Sequence, residues 1–294
     1  MNTTRPAHRF GASLAAALTA LVVAAGVLAA HDFWLVPNAL VIAPRGQLEV
    51  LGQSGSRFPT SDGPTQPAQV AEARIVGASG DERIAELSVT GRSLMLRHQP
   101  AKAGQHIVAV ALASRTARTT PALLQRYIAL EGAPELAARY EQDGTYPKVD
   151  SVTRVSAKYA KTIVEVGSNG PRAFDKVLGH ALEIVPLRDP SRVKVGDSIG
   201  VRLLFRGKPV PNVHLRAGSA PPAAVNGDSA ALAAAAARPG QVIVTGADGV
   251  AKLRISDPGL WNVRTLYAEP MAGMPEHWEV FFATIVFSVG GGVP

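Results

Sequence analysis

From Phe33 onward, apolar and polar positions alternate with a period of two in short segments, among them residues 47–51, 73–76, 93–97 and 107–112. Successive side chains on a strand point to opposite faces, so this period marks strands with one buried and one wetted face. Turn formers such as Gly63-Pro64 and Ala103-Gly104 separate the segments, and residues 53–69, rich in Ser, Thr, Gly and Pro without periodicity, read as a long surface loop. The pattern changes at Thr120-Pro121, an N-cap followed by proline at the first helical position. Leu123, Leu124, Tyr127, Ile128 and Leu130 then fall at helical spacing, and a further helical stretch fits residues 134–140. Residues 156–166 return to strand-like alternation.

Seven more short strands are predicted between Leu182 and Val289, at residues 182–187, 198–205, 213–217, 242–244, 251–255, 261–267 and 278–289. Asp248-Gly249, set between two apolar runs, predicts a hairpin. The Ala-rich residues 230–237 suit either an exposed helical turn or a loop. The fold class expected is all-β, with two β-sandwich domains of immunoglobulin-like or transthyretin-like type and a short helical insertion between them. The division expected is a leader over residues 1–30, an N-terminal sandwich over 31–119, the helical insertion and a bridging strand over 120–179, and a C-terminal sandwich over 180–294. Trp34, Trp261 and Trp278 occupy strand positions and are expected to anchor the cores.

The start of the chain places the protein in a compartment. Arg5 and Arg9 precede an uncharged run over residues 14–30 that ends in small residues, the order of a cleaved secretory signal peptide. The run is short for a membrane span, and no basic stop-transfer cluster follows it. Export to the periplasm is the expectation, with no transmembrane helix in the mature chain. Without Arg5 and Arg9 the formal charge falls from +7 to +5, and the remaining Lys and Arg are scattered singly, which argues against a nucleic-acid partner. The absence of cysteine excludes disulfide staples, thiol nucleophiles and thiolate metal sites.

The segment His31-Asp32-Phe33-Trp34-Leu35-Val36-Pro37, directly after the leader, resembles the opening of a bacterial periplasmic family of domains of unknown function associated with nickel uptake. Ala157-Lys158-Tyr159-Ala160-Lys161, residues 179–187, Phe205-Arg206-Gly207-Lys208-Pro209, Gly246-Ala247-Asp248-Gly249 and Gly259-Leu260-Trp261 follow in that family's order. Its members are similar to the periplasmic partner subunit of nickel and cobalt energy-coupling transporters. The resemblance implies a transition-metal ion as ligand and a membrane metal transporter as partner. Residues 207–213, Asp248-Gly249 and Trp261 also resemble the carboxypeptidase-regulatory-like sandwich, a module that supports or binds without catalysing.

The residue with most chemical content is His31. Cleavage after Ala30 leaves an amine and an imidazole on one residue, and cleavage after Ala29 leaves amine, amide and imidazole nitrogens suited to square-planar Ni(II) or Cu(II). Partner ligands are sought among His106, His180 and His277, in that order, then His98 and His214. None forms an HxH, HxxxH or HExxH pattern, so a site would be assembled from separate strands. No GxSxG, Walker, Rossmann or paired-carboxylate motif is present, and the chain is not expected to be an enzyme. Two readings follow: a periplasmic metal-binding or metal-delivery accessory for nickel, cobalt or copper, and a non-enzymatic adhesion or scaffold module of the envelope. Mass spectrometry of the protein purified from the periplasm is expected to find Ala30 or His31 first; an intact Met1 on a membrane-embedded protein overturns the leader reading.

Overall fold

The computed structural model describes residues 32–225 and 228–290; His31 and the leader lie outside the described residues. Along the chain, β1 (Asp32–Pro37), β2 (Val41–Ile42), β3 (Leu48–Gly55), β4 (Val70–Gly77), β5 (Gly80–Arg83), β6 (Glu86–Thr90), β7 (Ser93–His98), β8 (Gly104–Leu112) and β9 (Arg115–Thr119) precede the helices α1 (Pro121–Leu130) and α2 (Pro134–Gln142). There follow β10 (Val152–Val166), β11 (Leu182–Pro186), β12 (Ser198–Phe205), β13 (Lys208–Pro209) and β14 (His214–Ala220). The short helices α3 (Pro222–Val225) and α4 (Ser229–Ala237), then β15 (Gln241–Val244), β16 (Val250–Arg254), β17 (Gly259–Met271) and β18 (Met274–Val289), complete the order.

The protein is all-β with few helices, and its strands form three sheets. The largest is a ten-stranded central sheet in the order β15-β14-β17-β18-β10-β8-β4-β5, with β2 and β9 also paired to β10. β10 runs parallel to β18 in continuous register from Thr153↔His277 to Thr162↔Val286. That pairing carries the sheet across the expected boundaries at 119 and 180, so the two sandwiches share one sheet. β1-β3-β7-β6 form an N-terminal sheet, and β11-β12-β13, with β16 on β12, form a C-terminal sheet.

The small sheets cover opposite faces of the central one, as the alternation along its strands shows. On β8, Val108 and Val110 join Phe33, Leu35, Leu94 and Leu96 in the N-terminal core. The intervening Ile107 and Ala109 pack instead with Ile184, Val201 and Leu253 of the C-terminal core. β10 divides likewise: Ala160 and Val164 face the N-terminal core, Ala157 and Ile163 the C-terminal one. A strand buried on both faces has no wet side, so its two sets of alternate residues serve two different cores.

The face that carries the N-terminal sheet is shared with the helices. Thr120 caps α1 by accepting from the Leu123 amide at 3.2 Å, with Pro121 at the first helical position. Leu124 and Ile128 of α1 and Leu136 of α2 then pack on Leu266, Trp278, Val280 and Phe282. β1 lies over the middle of this face and is buried on both of its own: Phe33 and Leu35 enter the N-terminal core, Trp34 and Val36 meet Leu260 and Val286. Thr284 Oγ1 donates to the Phe33 carbonyl at 2.6 Å, tying the first strand to the last. Trp34, Trp261 and Trp278 are all buried, as expected of core anchors.

The Asp248-Gly249 turn forms, with Gly249 at φ +72° and its amide donating to the Gly246 carbonyl at 2.9 Å. Its flanking strands nevertheless do not pair as a hairpin: β15 pairs with β14 in the central sheet and β16 with β12 in the C-terminal sheet. The turn makes a corner between two sheets because Val213, Leu215 and Leu253 bury together across it. The Ala-rich tract is helical, Asp228 capping α4 by accepting from the Ala231 amide at 2.8 Å.

Between the central and C-terminal sheets, Lys161 of β10 and Glu183 of β11 form an ion pair of 2.9 Å with side chains 2% and 1% exposed. Glu183 also accepts from the amides of Leu178 and Gly179, at 2.8 and 3.1 Å, and so pins the segment leading into β11. A buried charge left without its partner is far costlier than the pair it belonged to. Glu183→Gln is therefore expected to destabilise the fold by about 3–5 kcal/mol in urea unfolding, and Lys161→Met combined with Glu183→Gln to recover a large part of that loss. Equal stability of Glu183→Gln and wild type would show the pair to be energetically idle.

Candidate functional site

The candidate site lies on the helix-bearing face, at the seam where the N-terminal sheet stops and α1 begins. One face of β10 presents Val152, Arg154, Ser156, Lys158 and Ala160 in turn. Val152 belongs to the core under the helices and Ala160 to the N-terminal core. Between them Arg154, Ser156 and Lys158 line a cleft of about 550 Å³, closed on other sides by Ser54, Asp62, Thr65, Arg115 and Tyr127.

Each wall is fixed by local chemistry. Tyr127 projects from the capped helix α1, and the Arg154 guanidinium lies over its ring, 3.6 Å from the centroid. Lys158 Nζ sits over the Phe282 ring at 5.0 Å. The loop after β3 is held by Ser54 and Thr65, whose hydroxyls are 2.7 Å apart, and by Asp62, which accepts from the Ser56 amide at 2.9 Å. Arg92 closes the loop from below through the Asp62 carbonyl. Burial pushes the Tyr127 hydroxyl up to about 12 and lowers the Lys158 ammonium, the latter opposed by the Asp32 carboxylate. The tyrosine is therefore a neutral hydroxyl at any working pH.

The cations of this face form a row across the sheet. Arg216 is paired with Glu135 at 3.3 Å, and Arg264 with Asp32. Burial raises the Asp32 carboxyl in spite of the arginine beside it. Arg115 and Arg154 form no ion pair among the described residues, and Nε of Arg154 is buried without a hydrogen-bond partner. Among the described residues, the two arginines that line the cleft are thus left without an acidic partner.

The histidines singled out from the sequence are placed apart. His31 lies outside the described residues, next in the chain to Asp32 near Lys158. His106 faces the N-terminal side of the central sheet, buried, with Nδ1 3.0 Å from the Gly104 carbonyl; burial lowers its pKa. It is packed so closely on Gly77 that a Cβ there would lie 2.7 Å from Nε2. His180 lies on the opposite side, stacked on Tyr159 of β10 with centroids 4.9 Å apart and both ring nitrogens buried without hydrogen-bond partners. The sheet therefore separates His106 from His180, and they cannot ligate one ion together. His98 pairs with Glu82 at 3.2 Å, and His277 is in register with Thr153 near the β17–β18 turn. Among the described residues, no three His, Asp or Glu side chains are grouped so as to hold a metal ion.

Sequence reasoning missed Arg115, Arg154, Lys158 and Tyr127 as a group. The signal was present as three polar residues at successive same-face positions of β10, but such a pattern ordinarily marks a face turned to water. Only the seam between two covering layers turns it into a cleft.

A family model described as a domain of unknown function, DUF4198, matches residues 28–269. The chain belongs to that family. No curated protein matches its sequence. Among solved structures it is similar to a Salmonella alpha-2-macroglobulin variant, at 11% identity and a TM-score of 0.23 over 87% of this chain and 15% of that one. The D0-D1 domain of intimin matches at 12% identity and a TM-score of 0.19, over 88% of this chain and 98% of the other. A tetra-tandem repeat from the extending region of a large adhesion protein matches at 10% identity and 0.22, over 89% and 50%. The chain spans about a seventh of the macroglobulin's length. TM-scores this low carry no functional argument. Among the described residues, no helix is long and apolar enough to cross a membrane.

Burial without a partner pushes the His180 imidazole down to about 4 from an ordinary 6.5. The unfolded chain takes up this proton more readily than the folded one, so the contribution is complete above pH 6.5 and is lost as the pH falls towards 4. Its full size is about 3 kcal/mol. His180→Phe, which keeps a ring on Tyr159, is expected to flatten the wild-type loss of unfolding free energy over that interval. Parallel curves for the two proteins would refute the assignment.

Proposed function

We propose that the processed chain is a non-catalytic binding module of the cell envelope, and that the component it binds enters the cleft on β10. The observation that carries this is the run Arg154, Ser156 and Lys158 between two apolar cores on one strand face. Apolar residues at those positions would join the two cores and favour folding. Departures from the folding optimum of this kind concentrate at functional sites. The leader supports export, and the interlocked sheets give the cleft rigid walls. The reading agrees with the scaffold alternative drawn from the sequence. Metal delivery rests on His31, for which the described residues supply no grouped set of partners.

A photo-crosslinking residue at Ala117, which lines the cleft opposite Arg154, is expected to trap a discrete adduct in intact cells. The same probe at the exposed Val195, which does not line the cleft, is expected not to trap it. No adduct from Ala117, or the same adduct from both positions, would overturn the reading.

A further inference from the structure

We propose that the cleft holds a small polyhydroxylated organic molecule through a single oxyanion group, received by Arg154 and Arg115. The inference rests on the binding-module reading and adds the chemistry of the ligand. Charge gives the sign: Arg115 and Arg154 line the cleft and form no ion pair among the described residues, whereas Lys158 faces the Asp32 carboxylate. The neighbouring cations Arg216 and Arg264 are matched by Glu135 and Asp32, so the unmatched cations are the two cleft arginines.

Geometry gives the kind of anion. Arg154 is held flat by the Tyr127 ring, and its buried Nε lacks an acceptor. A guanidinium fixed in plane presents paired donors matched to two oxygens of a carboxylate or phosphate, whereas a lysine offers a point charge. The floor and walls add the hydroxyls of Ser54, Thr65, Tyr127 and Ser156. At about 550 Å³ the cleft is far larger than one inorganic anion and falls within the range of small-molecule sites, roughly 300–1,000 Å³. The hydroxyls suit a ligand that is itself rich in hydroxyls, such as a sugar acid or a sugar phosphate.

Titration calorimetry of the processed protein with glucuronate, glucose 6-phosphate and glucose tests this. Both anions, or one of them, are expected to bind and to weaken as sodium chloride is raised; glucose is expected not to bind. Which anion binds more tightly identifies the group as carboxylate or phosphate. Arg115→Gln alters an exposed side chain and is expected to fold normally, checked by its thermal melt, while weakening the anion about tenfold. Arg154→Gln is expected to weaken it further, and Arg188→Gln, away from the cleft, to change nothing. Binding of glucose as tight as that of the anions, no binding of either anion, or affinity unchanged in both Arg115→Gln and Arg154→Gln would overturn the proposal. An Ala117 adduct without anion binding would overturn the oxyanion and leave the binding module standing, whereas loss of both would remove both.

Discussion

The parallel pairing of β10 with β18 is the constraint on which the rest depends. It joins residues more than a hundred positions apart, from Thr153↔His277 to Thr162↔Val286, and makes one sheet of what would otherwise be two. Both small sheets and both long helices are then packed on strands that run through the whole molecule. β10, with 15 residues, spans about 50 Å and meets every layer in turn. Along one face it passes under α1, then the cleft, then the N-terminal core; along the other it supports the C-terminal core.

That arrangement explains where polar groups are tolerated. On the C-terminal face of β10, Lys161 is buried only because Glu183 meets it, and His180 stays neutral on Tyr159. A clasp of Arg172 with Glu165 and Asp189, joined by Gln105, fastens the long connection between β10 and β11 beside them. These groups are mutually matched or neutral and serve the fold. On the other face, Arg115 and Arg154 at the seam form no ion pair among the described residues.

Much of the fold was legible because it rests on local chemistry. The helical insertion was read from Thr120 and Pro121, the C-terminal strands from their alternation, and the three tryptophans from their strand positions. The shared sheet was not legible, since the alternation that marks β10 as a strand says nothing of which distant strand lies parallel to it. The same lack of a long-range term made Asp248-Gly249 look like a hairpin, when the flanking strands bury their side chains in different sheets. The site was hidden for a related reason: Arg154 and Lys158 are remarkable only for what lies on either side of them. His106 and His180 could be recognised as histidines that matter to burial, but no spacing in the sequence tells that a sheet stands between them.

The bond from Thr284 to the Phe33 carbonyl joins residues 251 positions apart. In any chain that emerges amino end first, the apolar stretch Phe33-Trp34-Leu35-Val36 is among the earliest made and among the last enclosed, because β18 must arrive before its outer side is covered. Closure of so long a loop is slow. Until then the segment offers a hydrophobic edge strand to whatever surrounds it, so the nascent protein is most in need of protection at the very end that finally holds it shut.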